Sequence, residues 1–483
     1  MLKYIFIALF VLFASSRLIV PGQLQALEAI QSQLKNPHLT TAKAPRDSSS
    51  SANPVQGIAN ATSGYLSVND TNSNSKLFYI FYQCRGLQKG QSATDVPIII
   101  WLQGGPGGSS QTGSFFEMGP YTLTYDQSTG KYKETRRDLS WNDYYNLLIV
   151  DNPRGTGYSI ADKDSYVTTE DQVAEDFKNA LLNFYALDAF SAYSKTPLFI
   201  FGESYAGHYI PSISKRILEF NQEGKQQIPL AGAGIGDGFT DPEHQLAENA
   251  LFGYSLGLLD DVQRAKIEYY QLQGVSNIHL GNYLAAQQNF DQVMDGICSY
   301  GGDLNVYNFR DFGDYDFSSM VTFFNDADTV RRYNVDPSVA GQFQDINMNV
   351  YNALSTDFMQ SVADRVAYVA AAGLPIMFYN GQDDIICNTP AVENWIANLQ
   401  WSGQTGLYQT PFNVWNYQNG TVAGLQKNYH NFYFVIVNKA GHLAPMDQIE
   451  TTTEMVRRFV AKQTNWTQPL SAATKSQRTY IEL

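Results

Sequence analysis

Apolar residues along this chain fall into two rhythms, and their alternation predicts the architecture. Short continuous apolar runs closed by small-residue turns read as strands buried on both faces. Four stand out: Ile98-Ile99-Ile100-Trp101-Leu102, Pro197-Leu198-Phe199-Ile200-Phe201, Ile376-Met377-Phe378-Tyr379 and Phe432-Tyr433-Phe434-Val435-Ile436-Val437. Residues 65–68 and 77–82 predict a hairpin-like pair of strands ahead of them. Strands alternate with helical stretches through residue 240, the order of an α/β protein with a mostly parallel sheet. From about 241 to 324 the order breaks into helical and irregular pieces, with helices predicted near 258–272 and 283–294, and it resumes from about 363. Near the start, Leu24, Leu27, Ile30 and Leu34 give residues 23–34 a helical spacing. The polar stretch 36–53, with serines at 48–51, predicts a linker, so residues 17–62 are expected to be a leader or linker that can be removed and 63–483 the body.

The run ending at Phe201 opens into Gly202-Glu203-Ser204-Tyr205-Ala206-Gly207, a strand–turn–helix junction that reads as a nucleophile elbow. Small residues must flank such a serine because Cβ atoms would collide across the turn; Gly202 and Ala206 occupy the two flanks. The following helix would aim N–H groups at the serine and favour negative charge there. A serine needs a base, and the chain order serine, acid, histidine leaves His430 and His442 among six histidines. His442 follows a strand and the small pair Ala440-Gly441, at the strand end where ligands meet open α/β sheets, whereas His430 precedes that strand. Asp383 and Asp384, after the run closed by Gly381, both suit the acid that orients the imidazole, and both also suit turn aspartates. In Gln103-Gly104-Gly105-Pro106-Gly107-Gly108-Ser109-Ser110 a strand opens into glycines, so backbone N–H groups can approach a ligand and supply an oxyanion donor. A phosphate-binding loop is excluded, because no Gly-Lys-Ser/Thr closes the segment and no Gly-x-Gly-x-x-Gly spacing fits.

Together these segments resemble the serine carboxypeptidase family, from about residue 63 to 459. The resemblance is carried by the segments 101–110, Trp141-Asn142, 151–159, 202–211, 381–388 and 440–448. It implies an α/β-hydrolase fold whose helical cap is inserted at about 241–324. It implies Ser204 as nucleophile, Asp384 as acid because it lies three before Cys387, and His442 as base, with the N–H groups of Gly105 and Tyr205 as oxyanion donors. It also implies that Gln103, Gly104, Glu117 and Glu203 bind a substrate's terminal carboxylate. Two carboxyls can accept a third only by sharing protons, so binding should favour acid pH. Thr112, Phe116, Ile386, Cys387 and Leu443 match a largely apolar substrate pocket. Gln103 stands where the family more often has Asn, and Gly108 where it usually has a disulfide cysteine. Both departures, with Ile235-Gly236-Asp237-Gly238, resemble the vitellogenic-like branch. The resemblance implies a peptidase releasing C-terminal amino acids at acidic pH. The alternatives are an acyltransferase with the same triad, or a catalytically silent binding homologue.

Composition narrows the setting. A net charge of −14 argues against nucleic acid as partner and suits an acidic compartment. Residues 1–16, with Lys3, an apolar core at 5–13 and Ala14-Ser15-Ser16, predict a signal peptide. No other run approaches the roughly 20 apolar residues of a membrane span. The secretory pathway, with a lysosomal or vacuolar lumen or secretion as destination, is therefore expected, and the sequons at Asn60, Asn69, Asn419 and Asn465 fit it. There are three cysteines: Cys387 is expected free beside the acid, while Cys84 and Cys298 are a candidate disulfide. Neither His-Glu-x-x-His nor Cys-x-x-Cys occurs, so no metal or cofactor is expected. Partners are expected to be peptide or protein substrates with a free C-terminus, and the protein itself a monomer or homodimer.

Overall fold

The computed structural model describes residues 49–68, 74–224, 226–417 and 420–468. The predicted signal peptide, the helix expected at 23–34, and Asn69 and Asn419 lie outside them.

An eleven-stranded sheet forms the centre. Its strands are β1 (Asn53–Pro54), β2 (Ala61–Ser67), β3 (Lys76–Tyr82), β4 (Ile98–Leu102), β7 (Asn146–Val150), β8 (Leu198–Glu203), β9 (Leu230–Gly236), β10 (Ile376–Gly381), β11 (Asn413–Asn416), β12 (Val422–Tyr429) and β13 (Phe432–Val437). A separate hairpin joins β5 (Tyr121–Asp126) to β6 (Lys131–Arg136). The spatial order is β1-β2-β3-β7-β4-β8-β9-β10-β13-β12-β11. The middle six strands pair in parallel, and the strands on both flanks are antiparallel. This is the α/β-hydrolase fold, as expected.

Continuous apolar runs are what such central strands require. In β4, Ile98, Ile100 and Leu102 enter the core on one side of the sheet, while Ile99 and Trp101 enter the core on the other. Helices α1 (Glu170–Ala186) and α2 (Ala206–Gln222) cover the first side. Between β9 and β10 the chain builds α3 (Pro242–Leu246), α4 (Asn249–Ser255), α5 (Asp261–His279), α6 (Tyr283–Tyr300), α7 (Ser318–Asn325), α8 (Ala327–Arg332), α9 (Met348–Ala353) and α10 (Ala363–Ala371). Helices α11 (Thr389–Asn398), α12 (Gln404–Gln409), α13 (Ala444–Asp447) and α14 (Ile449–Val460) follow, and Phe459 of α14 packs on Phe199 and Tyr433 on the second side.

Two boundaries differ from expectation. The packed body reaches back before residue 63: β1 pairs with β2, and the Ser51 N–H donates to the Tyr65 carbonyl (2.8 Å). The helical insertion also runs past residue 324, through α9. Within it α5 continues to His279, beyond the predicted end, capped at its start and packed along α6, with Ile267, Gln271 and Gly274 buried. The Asp260 carboxylate accepts from Val262 and Gln263 N–H, while Val262, Tyr269 and Leu272 remain exposed. No helix among the described residues is long and apolar enough to cross a membrane.

Candidate active site

The sheet's parallel register brings the glycine loop, the elbow, the Asp pair and the late histidine to one edge. Leu102 lies opposite Gly202, Gly202 opposite Ile235, Tyr379 opposite Gly236, and Gly381 opposite Val437. The chain therefore leaves β4, β8, β10 and β13 at neighbouring carboxyl ends, where open α/β sheets bind ligands.

Ser204 has φ 62°, the left-handed conformation that a serine adopts only when its surroundings impose it. Its N–H donates to the Gly236 carbonyl (3.0 Å), and its own carbonyl accepts from Gly207 (2.9 Å) and Phe239 (2.9 Å). The turn is too tight for a side chain at Gly202, where a Cβ would lie 2.2 Å from the Leu102 carbonyl oxygen and 2.9 Å from the Ala206 Cβ. The glycine loop presses equally close, since a Cβ on Gly104 would lie 2.4 Å from the Tyr205 nitrogen. Gly105 and Tyr205 both line the cavity above Ser204, and neither N–H donates to a protein acceptor among the described residues.

His442 Nδ1 lies 2.9 Å from Asp384 Oδ2. The hydrogen bond to this carboxylate places the proton on Nδ1 in the neutral ring and leaves Nε2 as an acceptor. Nε2 is buried and unpartnered, and His442 lines the same cavity as Ser204. The His442 N–H donates to the Tyr307 carbonyl (2.6 Å), and the Tyr307 ring meets the imidazole edge-on at 5.1 Å. Asp384 is fully buried, and its second oxygen accepts from the Cys387 N–H (3.3 Å). Asp383 points elsewhere, into a bidentate pair with Arg310 in which Nη2 lies 3.0 Å from Oδ1. The two aspartates that looked alike in sequence are thus separated.

The carboxylates beside the elbow form a second buried group. Gln103 is fixed by Trp101, whose indole N–H donates to its Oε1 (2.9 Å), and its Nε2 donates to Glu203. The extra methylene relative to Asn therefore leads to a defined position. Glu117 ends a π-helical turn, Gly113–Glu117, of the kind that often marks a functional site. Glu117 and Glu203 are both wholly buried. Burial pushes the Glu117 carboxyl up to about 8. Burial, with the Glu117 charge adding to it, holds Glu203 well above the usual carboxylate range. Both Glu117 oxygens and one of Glu203 have no hydrogen-bond partner at bonding geometry among the described residues. A proton held between the two carboxyls is the simplest way to satisfy them.

The cavity has a volume of about 780 Å³. Gln103, Gly104 and Glu203 line it beside Ser204, and so do Thr112, Ile386, Cys387 and Leu443. Phe116 and Glu117 are not among the lining residues. Phe116 packs edge-on against Phe317 (4.9 Å) and so supports the wall instead of forming it. The Cys84–Cys298 disulfide does not form, and all three cysteines are free. Cys84 is buried with Trp141 in the second-side core, while Cys298 lines the cavity from α6, so the fold places them in different regions. Burial and the Asp384 charge push the Cys387 thiol up, keeping it neutral beside the histidine. Asn60 and Asn465 are exposed.

Asp237, Tyr307 and Arg310 had no role in the sequence reading. Asp237 is fully buried, and its carboxyl is pushed up by burial and by the Asp384 charge. It accepts from the Gly381 N–H (2.8 Å), tying the end of β9 to the turn that carries Asp384. The available signal was Ile235-Gly236-Asp237-Gly238 closing a strand next to β10. Tyr307 acts through its carbonyl, which no side-chain pattern discloses.

Fold and site together define an α/β-hydrolase with a serine elbow. Comparison with known proteins then gives the family: the chain belongs to the serine carboxypeptidases, whose family model matches residues 54–462. It is 32% identical over 418 residues to serine carboxypeptidase S10 family member 1 of Dictyostelium discoideum, covering 84% of this chain and 96% of that protein. It is 32% identical over 423 residues to the probable serine carboxypeptidase CPVL of Mus musculus, covering 85% of each. The venom serine carboxypeptidase of Apis mellifera is 33% identical over 407 residues, covering 82% of this chain and 83% of that one. Among solved structures, the prohormone-processing carboxypeptidase Kex1 of Saccharomyces cerevisiae superposes with a TM-score of 0.74 at 23% identity, covering 85% of this chain and 94% of that one, a likeness of fold.

Proposed function

We propose that this protein is a serine-type carboxypeptidase that releases C-terminal amino acids from peptides and proteins through an acyl-enzyme on Ser204. The observation that carries the reading is Glu203. It is a wholly buried carboxyl with one unpartnered oxygen, immediately before Ser204 and in the same cavity as the unpartnered His442 Nε2. A general esterase has no need of a buried acid pair at this place; a site for a terminal carboxylate does.

In the reaction, His442 Nε2 takes the Ser204 hydroxyl proton as Oγ bonds to the scissile carbonyl carbon. The Gly105 and Tyr205 N–H groups stabilise the resulting oxyanion, and Asp384 stabilises the imidazolium. His442 then gives the proton to the leaving nitrogen, which departs as the amine of the free amino acid. Water, deprotonated by His442, attacks the acyl-enzyme, and the proton returns to Ser204 Oγ as the shortened peptide leaves. Gln103 and Glu203 hold the substrate's terminal carboxylate, while Glu117 behind them shares a proton with Glu203. That requirement, with the acidic composition, the predicted signal peptide and the exposed sequons, supports work in an acidic lumen of the secretory pathway or outside the cell.

The test compares blocked dipeptides with free and amidated C-termini, with Ser204→Ala as the blank. For the free acid, kcat/KM should fall as pH rises toward the Glu117 value of about 8, because the protonated pair is the competent form. The amide should keep its rate to higher pH, because it carries no charge for the pair to oppose. Glu117→Gln should flatten the difference. Identical profiles for the two substrates would leave a serine hydrolase without a carboxylate site.

A further inference from the structure

No step of the proposed reaction uses the buried carboxyl of Asp237. This residue follows β9 with φ 45°, a left-handed conformation that aspartate tolerates better than most side chains. Its N–H donates to the Tyr379 carbonyl of β10 (2.7 Å), and the carbonyl of the preceding Gly236 accepts from the Ser204 N–H (3.0 Å). Asp237 is thereby keyed between the elbow and the strand that leads to the triad acid.

Its carboxyl is committed on one oxygen only. Oδ1 accepts from the Gly381 N–H (2.8 Å) and, at longer range, from Asn380 Nδ2 (3.5 Å), which also donates to the Cys387 carbonyl (2.6 Å). These contacts set the carboxyl against the turn 381–387, which carries Asp384. Oδ2 is buried and has no partner among the described residues. Asp384 is equally buried, and each of its oxygens takes one hydrogen bond, from His442 Nδ1 (2.9 Å) and from the Cys387 N–H (3.3 Å). A carboxylate has room for about four, so the triad acid can accept another donor.

The ionisable groups facing Asp237 are Asp384 and Cys387 from that turn, Tyr379 from β10, Glu203 from β8 and Asp447 from α13. None of these five brings a positive charge. Burial, and next the Asp384 charge, hold the Asp237 carboxyl well above the usual aspartate range. Two adjacent buried carboxyls resolve their conflict by sharing one proton.

We infer that Asp237 is a positioning residue for the triad: it retains a proton and donates it from Oδ2 to Asp384, so that the pair presents a single negative charge to His442. The inference rests on the carboxypeptidase reading of the same site. The proton stays on Asp237 through both halves of the reaction, while the charge on Asp384 faces the imidazolium. Held from behind in this way, Asp384 keeps a lone pair aimed at Nδ1; an ionised Asp237 would repel it.

The parent, Asp237→Ala and Asp237→Asn are compared on one blocked dipeptide with a free C-terminus. Loss of a hydrogen bond to a charged group predicts a kcat about 10- to 100-fold lower in Asp237→Ala, with KM within about twofold. Asp237→Asn supplies a permanent N–H donor for Asp384 and an oxygen for the Gly381 N–H, so it should be at least about fivefold faster than Asp237→Ala. The proton itself is read from the infrared difference spectrum, parent minus Asp237→Asn, at about pH 7, above the ordinary aspartate range. The band of an un-ionised carboxylic acid is expected there, a signal that anchoring of the turn alone would not produce. Carboxylate bands in its place overturn the assignment, as does an Asp237→Asn no faster than Asp237→Ala. If Asp237→Ala does not fold, a kcat for Asp237→Asn below about one-tenth of the parent's overturns it equally. A parent that cleaves no peptide ends the carboxypeptidase reading, and the positioning role falls with it; a missing acid band in an active parent ends the positioning role alone.

Discussion

Adjacent aspartates with opposite surroundings make the sharpest residue-scale prediction. Asp384 is buried against His442, while Asp383 spends its carboxylate on Arg310, whose side chain is 58% exposed. Asp384→Asn should cost activity on the order of 10⁴-fold, the figure known for the trypsin aspartate, because an amide stabilises the wrong tautomer. Asp383→Asn keeps an acceptor for Arg310 and lies off the proton path, so its loss should stay within about tenfold. Steady-state kinetics on one peptide decide this, and a larger loss at Asp383 than at Asp384 would reassign the acid. Gln103 makes a related point about residues: its amide is oriented by the Trp101 indole, so a longer side chain than Asn still offers a fixed donor toward Glu203.

The element that matters most is the β8–α2 junction. Its geometry depends on two small residues meeting across the turn, with only one of them forced to be glycine. Gly202→Ala would place a Cβ 2.2 Å from a backbone oxygen of β4, which cannot swing aside as a side chain can. It should destabilise by about 2–4 kcal/mol or prevent folding, the range of a core clash. Ala206→Gly opens space and removes no hydrogen bond, so it should cost at most about 1 kcal/mol of helix propensity. Urea denaturation of the two variants measures the difference. Equal costs would mean that the turn is looser than its contacts indicate.

On the scale of the whole molecule, the insertion is fastened to the sheet helices through groups that respond to pH. Glu170, which opens α1, is wholly buried with both carboxylate oxygens unpartnered among the described residues, and Asp357 lies against it from the insertion. Burial pushes the Asp357 carboxyl up to about 6, with Arg365 pulling the other way. Burial and the Asp357 charge likewise push Glu170 up. A carboxyl whose folded pKa is raised contributes stability that is fully present below its unfolded value, near about 4, and lost as pH rises through its folded value. The protein should therefore lose stability between about pH 4 and 6 from this contact. Asp357→Asn keeps an acceptor without the charge. It should be more stable than the parent by on the order of 1–2 kcal/mol at neutral pH, with the gain vanishing near about pH 4. Urea midpoints across that range give the answer, and a variant less stable than the parent at pH 7 would sink the idea. The direction agrees with Glu117 and Glu203, whose carboxyls burial also pushes up.

The sequence by itself determined the central strands and the elbow. Double-sided burial writes β4, β8, β10 and β13 as unbroken apolar runs, and a strained turn writes itself as Gly202 and Ala206 around Ser204. It also narrowed the base to a strand end and the acid to two neighbours. What remained depended on which side chains meet across the fold, and one-dimensional spacing does not carry that. Asp384 and Asp383 differ only in what lies opposite them, an imidazole or a guanidinium. Phe116 and Phe317 are 201 positions apart, and their packing decides which of them faces the cavity. Cys84 and Cys298 looked pairable until the sheet core took one and the cavity wall the other.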